Sequence, residues 1–200
     1  MTKKGSDSFA AAPPVENLIS VAKEASKSRG LPPVELWDSP FCGDLDMEIR
    51  RNGTWFHQGT PIGRPALVRL FSTILRRDGD AYFLVTPVEK VGIRVEDAPF
   101  VAIDANAAGS GRDQAITFTT NVGDSVTAGP DHPIRLHHDA GTGEPAPYVL
   151  VRRNLEALID RKTFYRLSAL GARHRHRGED WFGFWSGGTF FPAIPARDLA

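Results

Sequence analysis

Glu89, Lys90, Arg94, Glu96 and Asp97 crowd into one short, otherwise apolar and β-branched stretch, and acid–base chemistry or anion binding draws on that mixture of charges. Side chains alternate across a strand, so Lys90, Arg94 and Glu96 fall on one face and Glu89, Val91, Ile93 and Val95 on the other. The first face can hold an anionic ligand through Lys90 and Arg94, with Glu96 orienting one of them. The same charges also make an ordinary salt-bridged sheet face, which contributes little to stability. Glu89 falls on the apolar side, where a carboxylate must be paired or its pKa rises.

The cation at position 90 stands out by type. The chain has six lysines against eighteen arginines, and from Leu31 onward only Lys90 and Lys162 are lysine. Codon usage explains such a bias. A lysine kept against it supplies a compact point charge that a guanidinium does not reproduce.

His57, Gln58, Thr60 and Arg64 form a second group. A Gly59-Thr60-Pro61-Ile62-Gly63 loop leads from His57 to a helix starting near Arg64 or Pro65. Backbone amides at a helix N-terminus attract anions, and Arg64 adds charge there; a capped turn with an exposed histidine is the plainer alternative. Arg161 and Arg166 take the matching places in a second, similar segment.

Other candidate chemistry is weaker. His137 and His138 are adjacent on an expected strand and so point opposite ways, and Asp131, His132 and Asp139 join them only through folding. His174 and His176 share a face, but Arg173, Arg175 and Arg177 repel a cation beside them. No metal site is expected. The run Arg173–Arg177 reads as an exposed basic loop. No phosphate-binding glycine motif followed by a helix is present, and Cys42 and the serines lack the settings of nucleophiles. Trp55, Trp181 and Trp185 read as packing residues.

The elements that position these residues follow from periodicity. Met1 to Pro14 is polar and proline-ended and reads as a mobile tail. Val15, Leu18, Ile19, Ala22 and Ala25 mark an amphipathic helix over Val15–Ser28, stopped by Arg29-Gly30 and two prolines. Asn52-Gly53 between Met47–Arg51 and Thr54–Gln58 predicts a hairpin. Leu67, Leu70, Phe71, Ile74 and Leu75 predict a helix over Pro65–Arg77, with Arg76 and Arg77 serving its C-terminal dipole. Strands are expected at Ala81–Thr86, Val88–Val95, Phe100–Asn106, Ala115–Thr120, Ser125–Ala128, Ile134–His138 and Tyr148–Arg152. A helix over Lys162–Leu170 and a hairpin around Gly187-Gly188 complete the series. Gly109-Ser110-Gly111, Gly123-Asp124 and Gly141-Thr142-Gly143 mark turns.

Two parts of the chain echo each other. Ile49-Arg50-Arg51-Asn52 returns as Val151-Arg152-Arg153-Asn154, and Arg64, Leu67, Arg69 and Leu70 return as Arg161, Phe164, Arg166 and Leu167. The kept order predicts a duplicated hairpin, helix and strands. The expected fold is α+β and β-rich, with residues 1–32 as tail and helix, 33–108 as the first repeat and 109–200 as the second.

Two hundred residues with zero formal net charge argue against a general nucleic-acid or anionic-membrane binder. No apolar run approaches the roughly 20 residues that span a bilayer, and Met1–Ala12 lacks a signal-peptide pattern. Cys42 is the sole cysteine, which excludes an internal disulfide and a cysteine metal cage. A soluble, cytoplasmic protein is expected.

The stretch Tyr82–Phe100, with Cys42-Gly43-Asp44, Asn52-Gly53-Thr54-Trp55 and Leu67-Val68-Arg69-Leu70-Phe71-Ser72, resembles the bacterial domain-of-unknown-function 1285 family from about Pro40 to the end of the chain. The resemblance implies two related α+β halves, the second loosely pleckstrin-homology-like. It also implies a nucleotide-like ligand between the halves and a signalling role. The expectation is a ligand-sensing protein that binds a small anionic molecule through Lys90, Arg94 and Arg64, with Arg166 adding charge. Glu89, Glu96 and His57 orient the ligand. Whether a cofactor takes part is left open by the residues. Acid–base catalysis by Glu89 or His57 is one alternative, and a protein partner docked on the N-terminal helix or an exposed sheet edge is another.

Overall fold

The structure, a computed structural model, describes residues 15–25, 30–138 and 145–199. The expected mobile tail, the end of the first helix beyond Ala25 and the Gly141-Thr142-Gly143 turn lie outside these residues. The chain begins with α1 (Val15–Ala25), β1 (Phe41–Ile49), β2 (Trp55–His57), β3 (Thr60–Pro61), α2 (Pro65–Thr73), β4 (Leu75–Asp78), β5 (Ala81–Val85) and β6 (Lys90–Val95). It continues through β7 (Phe100–Ala108), β8 (Ala115–Thr120), β9 (Ser125–Thr127), β10 (Ile134–His138), β11 (Pro145–Arg152) and β12 (Leu155–Ile159). Last come α3 (Arg161–Ser168), β13 (Ala172–His176), β14 (Glu179–Ser186) and β15 (Thr189–Pro195).

The chain divides into two compact units, one ending at Glu96 and the other beginning at Asp97 and taking in the turn Arg51–Gly53. The division does not fall after Ala108. β7 pairs in parallel with β12 and antiparallel with β8, so it belongs to the second unit's sheet.

In the first unit the strand order is β3-β2-β1-β6-β5-β4, with β1 and β6 parallel at the centre. The Asn52-Gly53 hairpin forms as its residues dictate: Ile49 faces Trp55, and Gly53 takes φ 79°, a left-handed angle that a Cβ disfavours. α1 packs against α2 with Leu18 and Ala22 fully buried, so its apolar stripe is used inside the unit. Trp55, Phe71, Leu84 and Val91 build the core between helix and sheet.

α2 is shorter than its periodicity predicts. It ends at Thr73, and Leu75–Asp78 peel off to pair with β5. Arg76 therefore does not serve a helix dipole; its guanidinium donates to the carbonyls of Val34 and Trp37, each at 2.9 Å. Leu75 is fully buried in either geometry, which is why the apolar stripe runs past the true end.

The second unit holds a six-stranded sheet of order β10-β11-β12-β7-β8-β9 and a three-stranded sheet β13-β14-β15. Its large sheet again has one central parallel pair, β7 with β12, flanked by antiparallel neighbours. The sequence hairpin–helix–three strands occurs twice: β1–β2, α2, β4–β5–β6, and then β11–β12, α3, β13–β14–β15. The two copies differ in what their hairpins pair with. β6 joins β1, whereas β13–β15 stay a separate sheet and β12 takes β7 instead.

Arg173–Arg177 is not a loop. Ala172–His176 is a strand paired with β14, closed by a two-residue turn in which Arg177 and Gly178 take φ 51° and 89°. The alternation of arginine and histidine is a strand's inside–outside pattern, with His174 and His176 against aromatic rings and the arginines outward. No helix among the described residues is long and apolar enough to cross a membrane.

Candidate functional site

Most of the residues singled out in the sequence lie in the first unit. Lys90 and Arg94 share the outer face of β6, and a carboxylate answers each. Lys90 Nζ stands 3.5 Å from Asp78 and 4.7 Å from the centre of the Phe83 ring, and Arg94 donates to Asp46 at 3.0 Å. Asp44 projects over Gly92 between them, in the space a side chain would fill. The face is a chain of ion pairs, each cation already matched. Glu96 is exposed just beyond β6, with its N–H donating to Ile49 O. His57 is half-buried at the end of β2, opposite Met47 and Thr60. Arg64 is the exposed N-cap residue of α2, and its side chain makes no capping bond.

Glu89 is the exception in this group. It is 7 % exposed, its Oε1 has no hydrogen-bond partner among the described residues, and burial raises its pKa above the usual carboxylate value of 4.5. A raised carboxyl pKa means that the folded state binds more protons than the unfolded one between the two values, so stability falls as pH rises through that window. Glu89→Gln is expected to raise the melting temperature at neutral pH by a few degrees, about 1 kcal/mol. The gain should vanish below about pH 4, where both states carry the proton. Thermal melts of both forms from pH 4 to 8 check this; a gain independent of pH removes the buried charge as its cause.

Arg166 lies in the second unit, on the exposed side of α3, where it pairs with Asp104 of β7. That hydrogen bond is the first cause holding the Asp104 carboxyl below its usual range. Arg166 is therefore a strut between α3 and β7, which also pack together.

A cavity of about 390 Å³ opens on the same unit where β12 runs into α3. Leu158 and Ile159 from the strand end, Ala146 and Pro147 from β11, and Phe164 and Tyr165 from the helix give it apolar walls. Arg51, Asp160 and Arg161 supply its charged lining. Periodicity explains the gathering: Arg161, Phe164 and Tyr165 stand at i, i+3 and i+4, one face of a helix.

Each polar group there has a definite job. Asp160 caps α3, its carboxylate accepting from Thr163 N–H at 2.7 Å, so the helix N-terminus is already answered by a carboxylate. Positive charge in the cavity comes instead from the guanidiniums. Arg161 lies 6.0 Å from the centre of the Tyr165 ring, which is 63 % exposed. Arg51 Nε lies 3.3 Å from Asp97 Oδ2, and Asp97 Oδ1 accepts from the Tyr148 hydroxyl at 2.7 Å. Burial first, and then the Asp97 hydrogen bond, push the Tyr148 phenol well above its ordinary value. Tyr148 therefore stays a donor that fixes Asp97, and Asp97 in turn fixes the Arg51 stem.

Guanidiniums over an aromatic wall recognise planar anions. Arginine offers a fork of donors to a carboxylate or phosphate, and rings take flat groups by stacking. The volume suits a small molecule. Among the described residues Asp160 is the one carboxylate in the lining, and it is committed to the cap. Of these residues the sequence pointed only to Arg161, through the echo with Arg64. Phe164 and Tyr165 were legible as its neighbours at i+3 and i+4. Arg51 was not, because a hairpin turn carries no sign of what it packs beside. Among the described residues, no group of three or more His, Cys, Asp and Glu is placed to hold a metal.

These features define a two-unit α+β protein whose second unit carries a cationic, aromatic-walled cavity. The chain belongs to the DUF1285 family: residues 32–98 match the model of its N-terminal domain of unknown function, and residues 99–193 that of its C-terminal domain. A DUF1285 family protein of Silicibacter pomeroyi DSS-3 is similar at 60 % identity and a TM-score of 0.83, over 91 % of this chain and 97 % of that one. A DUF1285 family protein of Shewanella baltica OS155 is similar at 27 % identity and a TM-score of 0.50, over 62 % of this chain and 90 % of that one. No curated protein matches the chain.

Proposed function

We propose that this protein senses a small anionic metabolite, with a nucleotide-like combination of a flat ring and an acidic group, and serves in signalling rather than catalysis. The observation that carries this reading is the second-unit cavity, where Arg51 and Arg161 accompany Phe164 and Tyr165. An acidic group would meet the guanidiniums and a flat ring the tyrosine face. Lys90 and Arg94, the cations first suggested by the sequence, are matched to Asp78 and Asp46 on their own sheet.

A thermal-shift screen of the purified protein against nucleoside phosphates, dinucleotides and phosphorylated sugars tests this. A ligand at about a hundred times its dissociation constant adds about 2.7 kcal/mol, a rise of about 5–10 °C for a chain of this size. Arg161→Ala and Arg51→Ala are expected to abolish that rise, while Lys90→Ala and Arg64→Ala leave it unchanged. The reverse pattern places the ligand on the first unit. A blank screen counts against the sensing role.

A further inference from the structure

We propose that the open edge of β13 is a docking strand for an extended acidic peptide, which adds to the three-stranded sheet as a fourth strand. β13 is the outer strand of the sheet β13-β14-β15, and among the described residues no strand pairs with its other side. The two-residue Arg177-Gly178 turn closes on the pair His176↔Glu179, with His174↔Trp181 and Ala172↔Gly183 following in register. In a hairpin of that kind the pair next to the turn exchanges its backbone bonds, and alternate pairs do so thereafter. His176, His174 and Ala172 thus spend their N–H and C=O groups on β14. Arg173 and Arg175 aim theirs outward, a ready template for another strand.

The side chains decide what that strand is. Arg173, Arg175 and Arg177 are all exposed, and among the described residues none of them is in an ion pair. Elsewhere arginines are matched, as Arg94 is to Asp46, Arg152 to Asp124 and Arg166 to Asp104. On the other face, His174 packs against Trp185 and Phe190, each at 4.8 Å between ring centres, and Arg112 covers Trp185 at 4.9 Å. A residue directly opposite Arg173 or Arg175 shares its face at about 5.5 Å between Cα atoms, within reach of a carboxylate. The residue between them faces the His174–Trp185–Phe190 stack. The fitted partner is therefore a segment with acidic residues at i and i+2 and an apolar residue between them.

The same charges exclude a second copy on this edge. An antiparallel β13–β13 pair centred on His174 sets Arg173 against Arg175 twice, and like charges directly opposite destabilise a ladder. A nucleic acid would use the guanidiniums but has no use for the outward N–H and C=O groups.

Fluorescence anisotropy with a labelled, end-capped peptide of alternating glutamate and valine, titrated with the full chain at low ionic strength, tests the assignment. Saturable binding is expected, weakened about tenfold or more by Arg173→Glu together with Arg175→Glu. The same peptide N-methylated at its glutamates keeps every charge but loses the main-chain donors, and is expected to weaken equally. Unchanged melting of the double variant shows that the fold is intact, and Arg173→Lys with Arg175→Lys is expected to retain binding. Equal affinity for the N-methylated peptide, or for the double variant, overturns strand addition. So does an oligouridylate that binds more tightly than the peptide and displaces it. If the double variant instead self-associates and the original never binds the peptide, the arginines only guard the edge, and the proposal fails.

Discussion

Gly183→Ala is expected to lower the stability of the second unit by about 3 kcal/mol, the top of the usual range for overpacking, and its melting temperature by about 6–12 °C. Gly183 sits in β14 where the register with β15 shifts, between Phe182↔Ile194 and Gly183↔Pro192. A Cβ there would run into the carbonyl oxygen of Phe191 and lie 2.7 Å from Cζ of Phe190. The carbonyl is backbone of the paired strand, so no rotamer change makes room. The damage should reach the cavity, because Phe184 of the same strand packs edge-on against Phe164 at 6.3 Å. Gly129→Ala is the control, since nothing lies within 4 Å of a Cβ there and its backbone is not left-handed. Calorimetry on both variants decides the matter. A loss under one degree for Gly183→Ala would mean that β15 slides freely against β14 and that the shift in register is not a packing requirement.

Trp55→Ala is expected to cost the first unit about 3–5 kcal/mol, the range for removing a buried large aromatic. Trp55 is 1 % exposed and stacks on Phe71 of α2 at 6.2 Å with rings 18° apart, so its loss opens the space between sheet and helix. The hairpin holding Trp55 would lose its inward anchor with it. Trp55→Phe should behave differently. The indole N–H is buried with no hydrogen-bond partner among the described residues, and an unsatisfied donor costs about 1–3 kcal/mol. Phenylalanine removes that cost while losing some volume, so a net loss of about 1 kcal/mol is expected. Urea unfolding of the three proteins checks both. Equal losses for alanine and phenylalanine would mean that the indole nitrogen is satisfied in solution and that the whole ring is required.

Local signals carried much of this fold, and their failures are informative. Asn52-Gly53 predicted its hairpin because the left-handed position in the turn, Gly53, disfavours a side chain. The repeated order of hairpin, helix and strands was visible in two short echoes, since both copies use the same local elements. Periodicity overextends α2 to Arg77 because an apolar stripe reports burial, and Leu75 is buried in a strand as it would be in a helix. β12 carried no distinct mark. Leu155–Ile159 alternates buried and half-buried residues, a pattern too short to separate from its neighbours before β7 is known to lie beside it. The basic run at Arg173 reads as a loop for a related reason. Charge dominated its composition, while its period of two, with histidines turned toward aromatic rings, was the structural signal.

The sequence by itself determined the family resemblance, the β-rich α+β class, the turns and the character of individual side chains, because these depend on residues close in the chain. It also marked Glu89 as a carboxylate on an apolar face, and burial raises its pKa. Only the tertiary structure decided which charges meet. Asp46 and Asp78 reach Arg94 and Lys90 from other strands, and the turn at Arg51 joins Asp160 and Arg161 around one cavity. Such meetings depend on strand pairing across long separations, where parallel partners such as β1 with β6 and β7 with β12 come together through connections that local propensity does not specify.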